Sequence, residues 1–157
     1  MNGLRRAGLG ILAAVFATAG CLKIAAPAEF AAQLAAFRLL PEGAVPTLAL
    51  SLPVLEVILA AALLVSGRGR RAGLLGITLL LAGFLGALLW AWATDLAIDC
   101  GCFGSLEMPV PVAIVRNVVL LGISGLLLHR EYKATPPQGP FPKKIAENAK
   151  ISLQARP

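Results

Sequence analysis

Four long apolar stretches constrain the fold of this 157-residue chain more than any other feature. The clearest of them runs from Gly73 to Thr94 and contains no charged residue. A membrane-crossing helix needs roughly 20 mostly apolar residues, because the hydrocarbon layer is about 30 Å thick and a helix rises about 1.5 Å per residue. The sequence therefore predicts an all-α integral membrane protein, a four-transmembrane-helix bundle with spans at about 7–22, 45–66, 73–94 and 111–128.

The composition argues against a soluble domain. Hydrophobic residues make up 58% of the chain and charged residues only 14%, well outside the averages of soluble proteins. The net charge of +6 does not indicate nucleic-acid binding, because the basic residues fall between and after the apolar stretches rather than on one amphipathic face. We therefore expect the protein to contact the lipid bilayer and not to bind nucleic acid.

The segments outside the four spans predict two further elements. Residues 28–40 place Phe30, Leu34 and Phe37 at roughly helical spacing, which predicts a short interfacial helix between helices 1 and 2. A tail rich in proline and lysine follows the last span. We divide the chain into a membrane domain at 1–130 and a basic cytoplasmic tail at 131–157.

Basic residues set the predicted orientation, because short loops rich in Lys and Arg stay in the cytoplasm. With four spans, eleven of the 14 basic residues fall on the side of both termini, which predicts an N-in/C-in topology. The outer side then carries three basic residues. These are Lys23, Arg38 and Arg116.

Glycines recur in the third and fourth spans and are expected to let helices approach closely. Two tryptophans, Trp90 and Trp92, lie near the outer end of the third span, where an aromatic belt meets the membrane interface. The glycines in question are Gly73, Gly76, Gly83, Gly86, Gly122 and Gly125.

The outer loop between the third and fourth spans contains Cys100 and Cys102, separated only by Gly101. Two such thiols on an oxidising face favour disulfide chemistry. A disulfide across one residue needs a sharp turn, which Gly101 permits because glycine tolerates positive φ. Gly104 adds a second flexible point, and Phe103 is expected to shield the pair or to anchor it on the membrane. We interpret Cys100 and Cys102 as a redox-active pair, because strained, exposed disulfides exchange readily.

Two other interpretations of this pair stay open. A static disulfide is one, although a bridge across a single residue closes almost no loop and so stabilises little. Soft-metal binding by the two thiolates is the other, and it would suit Cu(I) or a similar ion.

Cys21 is predicted near the outer end of the first span, on the side of the thiol pair. A lone cysteine in an alanine-rich helix is most often a small buried apolar residue, and we expect that here. A resolving thiol or a third soft ligand are the alternatives.

The stretch Thr18-Ala19-Gly20-Cys21 also resembles a bacterial lipoprotein signal. We favour an uncleaved first span, because three spans would separate the tail from the basic loop at 68–71.

Polar residues inside the spans predict a buried cluster, since an unpaired charge in the membrane costs at least a few kcal/mol. Glu56 lies in the second span, Arg116 and Asn117 in the fourth, and Lys23 at the outer end of the first. We predict that Glu56 pairs with Lys23 or Arg116, and that Pro53 frees backbone carbonyls nearby. A structural clamp and a proton or ligand site are both compatible with this pattern.

Four short motifs resemble the methylamine utilization protein MauE family, related to the DoxX-like four-helix membrane proteins. The resemblance implies a four-helix bundle with a role in the maturation of exported proteins. For MauE, the exported protein is the disulfide-rich small subunit of methylamine dehydrogenase. Family members commonly accompany thioredoxin-like periplasmic proteins. The motifs are Gly20-Cys-Leu-Lys23 with Pro27, Leu52-Pro-Val-Leu-Glu56, Asp99-Cys-Gly-Cys-Phe-Gly104 and Arg116-Asn117.

The hypothesis that joins these observations is a thiol-disulfide exchange protein of the bacterial inner membrane. Cys100 and Cys102 would act on a periplasmic thioredoxin-like protein or an exported client, with a quinone in the bundle or Cys21 as a further electron carrier. The alternatives are a soft-metal carrier using the same thiolates and a noncatalytic membrane assembly subunit.

Overall fold

The chain folds into five α-helices in the computed structural model, which describes residues 3–65, 67–94 and 109–134. The helices are α1 (Gly3–Ala25), α2 (Pro27–Ala36), α3 (Val45–Leu64), α4 (Arg68–Ala93) and α5 (Val110–Ala134), with a 3₁₀ turn at Glu42–Ala44. The all-α prediction is confirmed, and so is a short helix between the first two long ones.

Four of these segments are long and apolar enough to cross a membrane, namely Gly3–Ala25, Glu42–Leu64, Arg68–Ala93 and Val110–Lys133. Their surfaces carry many large exposed apolar side chains, among them Leu50, Leu79 and Leu126. So much exposed apolar surface is untenable in water and suits a lipid environment. The chain is therefore a multi-pass membrane protein.

The long helices extend beyond the predicted spans at most of their ends. The first span was predicted to end near residue 22, whereas α1 continues to Ala25, and the fourth was predicted to end near 128, whereas α5 continues to Ala134. The predicted domain boundary at 130 thus falls inside α5, and the tail from residue 135 onward lies outside the described residues. The short helix α2 ends at Ala36, earlier than the predicted residue 40.

The main apolar core is formed mainly by the first halves of α1 and α4 and the second halves of α3 and α5. Its most buried members include Leu12 of α1, Leu63 of α3 and Ile77 of α4. Polar groups add to the packing between α4 and α5, where Thr78 Oγ1 lies 3.2 Å from Ser124 Oγ. Interhelical hydrogen bonds of this kind help hold helices together in lipid, where apolar burial supplies no driving force between them.

Two of the predicted close-approach glycines do bring helices together. A side chain at Gly73 or Gly76 would collide with α3, where the nearest atoms belong to Leu59 and Ala62. The other four glycines, Gly83, Gly86, Gly122 and Gly125, have nothing within 4 Å of an added Cβ among the described residues. The expectation of close approach was therefore wrong for those four.

One end of the bundle is closed by a cluster of arginines around Glu131. The Arg5 side chain of α1 forms an ion pair with the Glu131 carboxylate, and Arg70 Nη1 lies 3.7 Å from the same Oε1 atom. Arg71 Nη2 donates to the Glu131 backbone carbonyl at 3.1 Å. The start of α1, the start of α4 and the end of α5 therefore meet at one end of the molecule.

A tight turn at this end reverses the chain between α3 and α4. Gly67 has a φ of +71°, in the left-handed region that side chains rarely adopt, and α4 begins at the next residue. Since α1 and α4 both start at the Glu131 end, the end of α4 and the start of α5 lie at the other end. The sequence between these two helix ends contains Cys100 and Cys102.

Candidate functional site

The centre of the candidate site is an ion pair between the first and second spans. Lys23 Nζ donates to Glu56 Oε1 at 2.5 Å, and the two side chains are 4% and 2% exposed. The predicted pairing of Glu56 is confirmed with Lys23, one of the two expected partners. Charges this deeply buried are retained only where they are paired and hydrogen-bonded, because burial removes their hydration.

Two aromatic rings complete the surroundings of the Lys23 ammonium. Its Nζ atom lies 5.0 Å from the ring centroid of Phe30 in α2 and 5.3 Å from that of Phe84 in α4. Both distances are within the range of cation–π attraction, about 6 Å. Lys23 therefore links four helices, and the short helix α2 is fixed on the bundle through Phe30, which is itself buried.

A close approach of α1 to α3 makes this pairing possible. A Cβ at Gly20 would lie 2.8 Å from the Pro53 carbonyl oxygen, 2.8 Å from Val57 Cγ2 and 3.3 Å from Glu56 Cβ. Real Cβ atoms essentially never approach so closely, so only glycine fits here. Gly20 is one turn before Lys23, and Pro53 is one turn before Glu56. The two motifs predicted from sequence are thus the two halves of one helix contact.

Arg116 and Asn117 of α5 face the same place. Both line a cavity of about 40 Å³ together with Lys23 and Glu56, closed by apolar side chains of α1, α4 and α5. Asn117 is 4% exposed, and its Oδ1 atom has no hydrogen-bond partner within the described part of the chain. The structure therefore brings together all four polar residues expected to form the buried cluster.

The thiol pair is placed only by the helices on either side of it. Cys100, Gly101, Cys102, Phe103 and Gly104 lie outside the described residues, in the 14-residue connection between Thr94 and Pro109. The Thr94 hydroxyl donates to the Trp90 carbonyl at 2.8 Å and caps the end of α4.

Apolar packing fixes the ends of these two helices. Leu88 of α4 and Ala113 of α5 are buried against each other, with Phe37, Val110 and Ile114 packed around them. Asn117 is seven residues into α5, about 10 Å along the helix at about 1.5 Å per residue. The buried polar cluster thus lies in the same half of the bundle as the ends of the thiol connection.

Cys21 lies on α1 but points away from the cluster. Its thiol is free and exposed among the described residues, so the expectation of a small buried residue was wrong. The reason is geometric, because Cys21 precedes the buried Lys23 by two residues, about 200° around a helix of 3.6 residues per turn. The described ranges contain no group of three or more His, Cys, Asp or Glu side chains that could hold a metal.

Sequence reasoning missed the aromatic contacts and a neighbouring apolar groove. The groove has a volume of about 260 Å³ and lies between α2, α3 and α4. Phe84 lines both this groove and the polar cavity. The helical spacing of Phe30, Leu34 and Phe37 indicated an apolar face, but the partner of that face depends on how the chain turns after α2, which carries no comparable sequence signal.

Comparison with known proteins gives a consistent result. A family model described as "Methylamine utilisation protein MauE" matches residues 1–130. Two proteins named "Methylamine utilization protein MauE" are similar to the chain. The one from Paracoccus denitrificans is 33% identical over 115 residues, which is 72% of this chain and 62% of that protein. The one from Paracoccus versutus is 37% identical over 122 residues, which is 74% of this chain and 66% of that protein.

These matches span slightly less than two thirds of each relative's own length. No solved structure matches the chain. The match over residues 1–130 includes all five helices up to the last turn of α5, the polar cluster and the thiol connection.

Proposed function

Because the chain belongs to the MauE family, we propose that it is a membrane thiol-disulfide exchange protein that supports the maturation of exported proteins. The redox centre in this proposal is the pair Cys100 and Cys102. The relatives are named for methylamine utilization, and we propose a role for this chain in the same process.

The observation that carries the proposal is the position of the helix ends on either side of the Cys-Gly-Cys segment. Thr94 and Pro109, which flank that segment in the sequence, adjoin helices that pack together at the end of the bundle opposite the arginine cluster. Cytoplasmic ends of membrane helices are enriched in basic residues, so the opposite end faces the periplasm, where thiols are oxidised. This placement supports disulfide chemistry more directly than a role inside the membrane.

The exchange proceeds by two thiolate attacks. The thiolate of one cysteine attacks a sulfur of the partner's disulfide, expels the other partner sulfur as a thiolate and leaves a mixed disulfide. The second cysteine then attacks its neighbour, releases the reduced partner and closes the Cys100–Cys102 bond. Two electrons and two protons pass from the pair to the partner, and the reverse sequence oxidises the partner instead.

The sequence spacing of the pair favours turnover over permanent bonding. A disulfide across a single residue is strained, because the two Cα atoms must come within about 6.8 Å while the sulfur vectors converge. Strain makes a disulfide easier to reduce and faster to exchange. A periplasmic thioredoxin-like protein or an exported client with its own disulfide is the partner that such a centre would serve.

Trapping of the mixed disulfide tests the proposal. Replacement of Cys102 by Ser removes the resolving thiol, so cells acid-quenched and alkylated should accumulate a disulfide-linked adduct between Cys100 and an exported protein. The double variant Cys100→Ser/Cys102→Ser is the matched control and should give none. If neither Cys102→Ser nor Cys100→Ser forms an adduct, and the pair keeps one redox state in oxidising and reducing media, the proposal is wrong.

A further inference from the structure

The apolar groove and the polar cavity are neighbouring spaces that share Phe84 as a lining residue. The groove of about 260 Å³ is lined by Leu34 of α2 and Phe37 just after it, by Leu52 of α3 and by Gly83 and Phe84 of α4. Its volume approaches the lower end of small-molecule sites, about 300 Å³. The cavity of about 40 Å³ has room for about one water-sized group. Together they match a ligand with an apolar body and one polar atom.

The cavity contains a buried acceptor that calls for a donor. Asn117 Oδ1 has no partner among the described residues although the side chain is 4% exposed, and buried acceptors are normally satisfied. Lys23 and Arg116 line the same cavity and carry several N–H donors each. The polar group of the ligand therefore meets both an acceptor and donors. A group that alternates between hydroxyl and carbonyl needs both, because the hydroxyl donates a hydrogen bond and the carbonyl accepts one.

We propose that this site binds a membrane-soluble quinone. The ring lies in the groove against Phe84, and one ring oxygen enters the cavity. In the quinol the hydroxyl donates to Asn117 Oδ1, and in the quinone the carbonyl accepts from Lys23 or Arg116. The isoprenoid tail leaves the groove into the surrounding lipid.

Phospholipid fits the same space less well. Its acyl chain has no donor for Asn117, and its phosphate is larger than a cavity of about 40 Å³. A quinol supplies both an apolar ring for the groove and a hydroxyl donor for Asn117 Oδ1.

The inference rests on the proposed function in the direction in which the Cys100–Cys102 disulfide oxidises its partner and is left as a dithiol, for which the quinone is the electron acceptor. Oxidation of Cys100 and Cys102 to a disulfide releases two electrons and two protons, and reduction of one quinone to quinol consumes both pairs. Phe37 lines the groove and also packs beside Leu88 and Ala113, the contact that fixes the helices flanking the thiol connection. The groove is therefore at the thiol end of the bundle.

Photolabelling of the full chain in phosphatidylcholine nanodiscs tests the site. With an azido-ubiquinone probe, we expect labelled peptides from α2, α3 or α4 and loss of the label when decylubiquinone is added in excess. Gly83→Leu fills the groove, since an added Cβ at Gly83 meets nothing within 4 Å of it in the described structure, and should lower the label by about tenfold. Gly122→Leu makes the same change on α5, away from the groove, and should leave the label unchanged.

A second variant keeps the test independent of the groove. Asn117→Leu removes the orphan acceptor at nearly constant volume and should weaken competition by the reduced, quinol form of decylubiquinone more than by the quinone.

The inference is overturned if the label is not competed, or if Gly83→Leu and Gly122→Leu label equally. Competed labelling in a chain whose thiols never change redox state would instead overturn the proposed function alone, and thiol cycling without competed labelling would overturn the quinone site alone.

Discussion

Lys23 Nζ lies 2.5 Å from Glu56 Oε1, with both side chains almost fully buried between the first and second spans. Each charge is tolerated there because of the other. Removing one partner of a buried pair is strongly destabilising, whereas replacing both by apolar residues of similar volume is often neutral. The pair thus makes a distinctive prediction about single and double substitutions.

Glu56→Leu should lower the free energy of unfolding by about 3–5 kcal/mol, because the Lys23 ammonium loses its buried counter-charge. The double variant Lys23→Met/Glu56→Leu should recover most of that loss. The measurement is thermal unfolding of purified protein in detergent, followed by tryptophan fluorescence.

Glu42→Gln serves as the control, since Glu42 is exposed in the 3₁₀ turn and should be nearly neutral. A double variant as unstable as Glu56→Leu would contradict the pairing argument.

Thiol cycling in Glu56→Gln separates two possible roles of the ion pair. Full cycling with a weakened fold indicates a clamp, and lost cycling in a folded chain indicates a proton or ligand role.

Gly20→Ala should be more destabilising than its small size suggests. The added Cβ would lie 2.8 Å from the Pro53 carbonyl oxygen, so α1 and α3 must separate and the Lys23–Glu56 contact must lengthen. Gly10→Ala is the matched control on the same helix, because a Cβ there meets nothing within 4 Å in the described structure. It should be neutral or stabilise by up to about 1 kcal/mol through helix propensity. Equal unfolding temperatures for the two variants would contradict the close contact.

The four spans and the polar cluster could be predicted because each depends on a local rule. Long apolar stretches must be helical in lipid, and Glu56 and Lys23 must find partners there. The exposure of Cys21 follows from helix geometry once Lys23 is known to face inward, because the two residues are about 200° apart around the helix. Residue type alone favours burial of a cysteine and says nothing about that angle.

The helix ends and the groove could not be predicted in the same way. Polar residues such as His129 and Arg130 are typical of a span's end, yet α5 continues because Arg5 and Arg70 neutralise Glu131. The groove depends on where α2 lies on α3 and α4. That placement follows from Phe30 meeting the Lys23 ammonium, a contact between residues with no sequence signal for each other.

Glu131→Gln should loosen the arginine-rich end of the bundle. The Glu131 carboxylate accepts a hydrogen bond from Arg5 and forms an ion pair with Arg70, and a hydrogen bond to a charged group contributes about 1.5–3 kcal/mol. We expect faster amide hydrogen exchange in the first turns of α1 and α4, with little change at the thiol end. Glu29→Gln, at an exposed position of α2, is the control. Unchanged exchange in α1 would show that the Arg5 contact contributes little.

Sidedness gives the last prediction, because the arginine-rich end is expected to face the cytoplasm. Single cysteines placed in a chain lacking Cys21, Cys100 and Cys102 report the side of each end. Glu29→Cys, on α2, should react with a membrane-impermeant maleimide in intact spheroplasts.

Lys133→Cys, near the end of α5, should react only after the membrane is permeabilised. The reverse pattern would invert the topology and place the thiol pair in the reducing cytoplasm. That result would remove the basis for an exchange-competent disulfide, because thiols in that compartment are kept reduced.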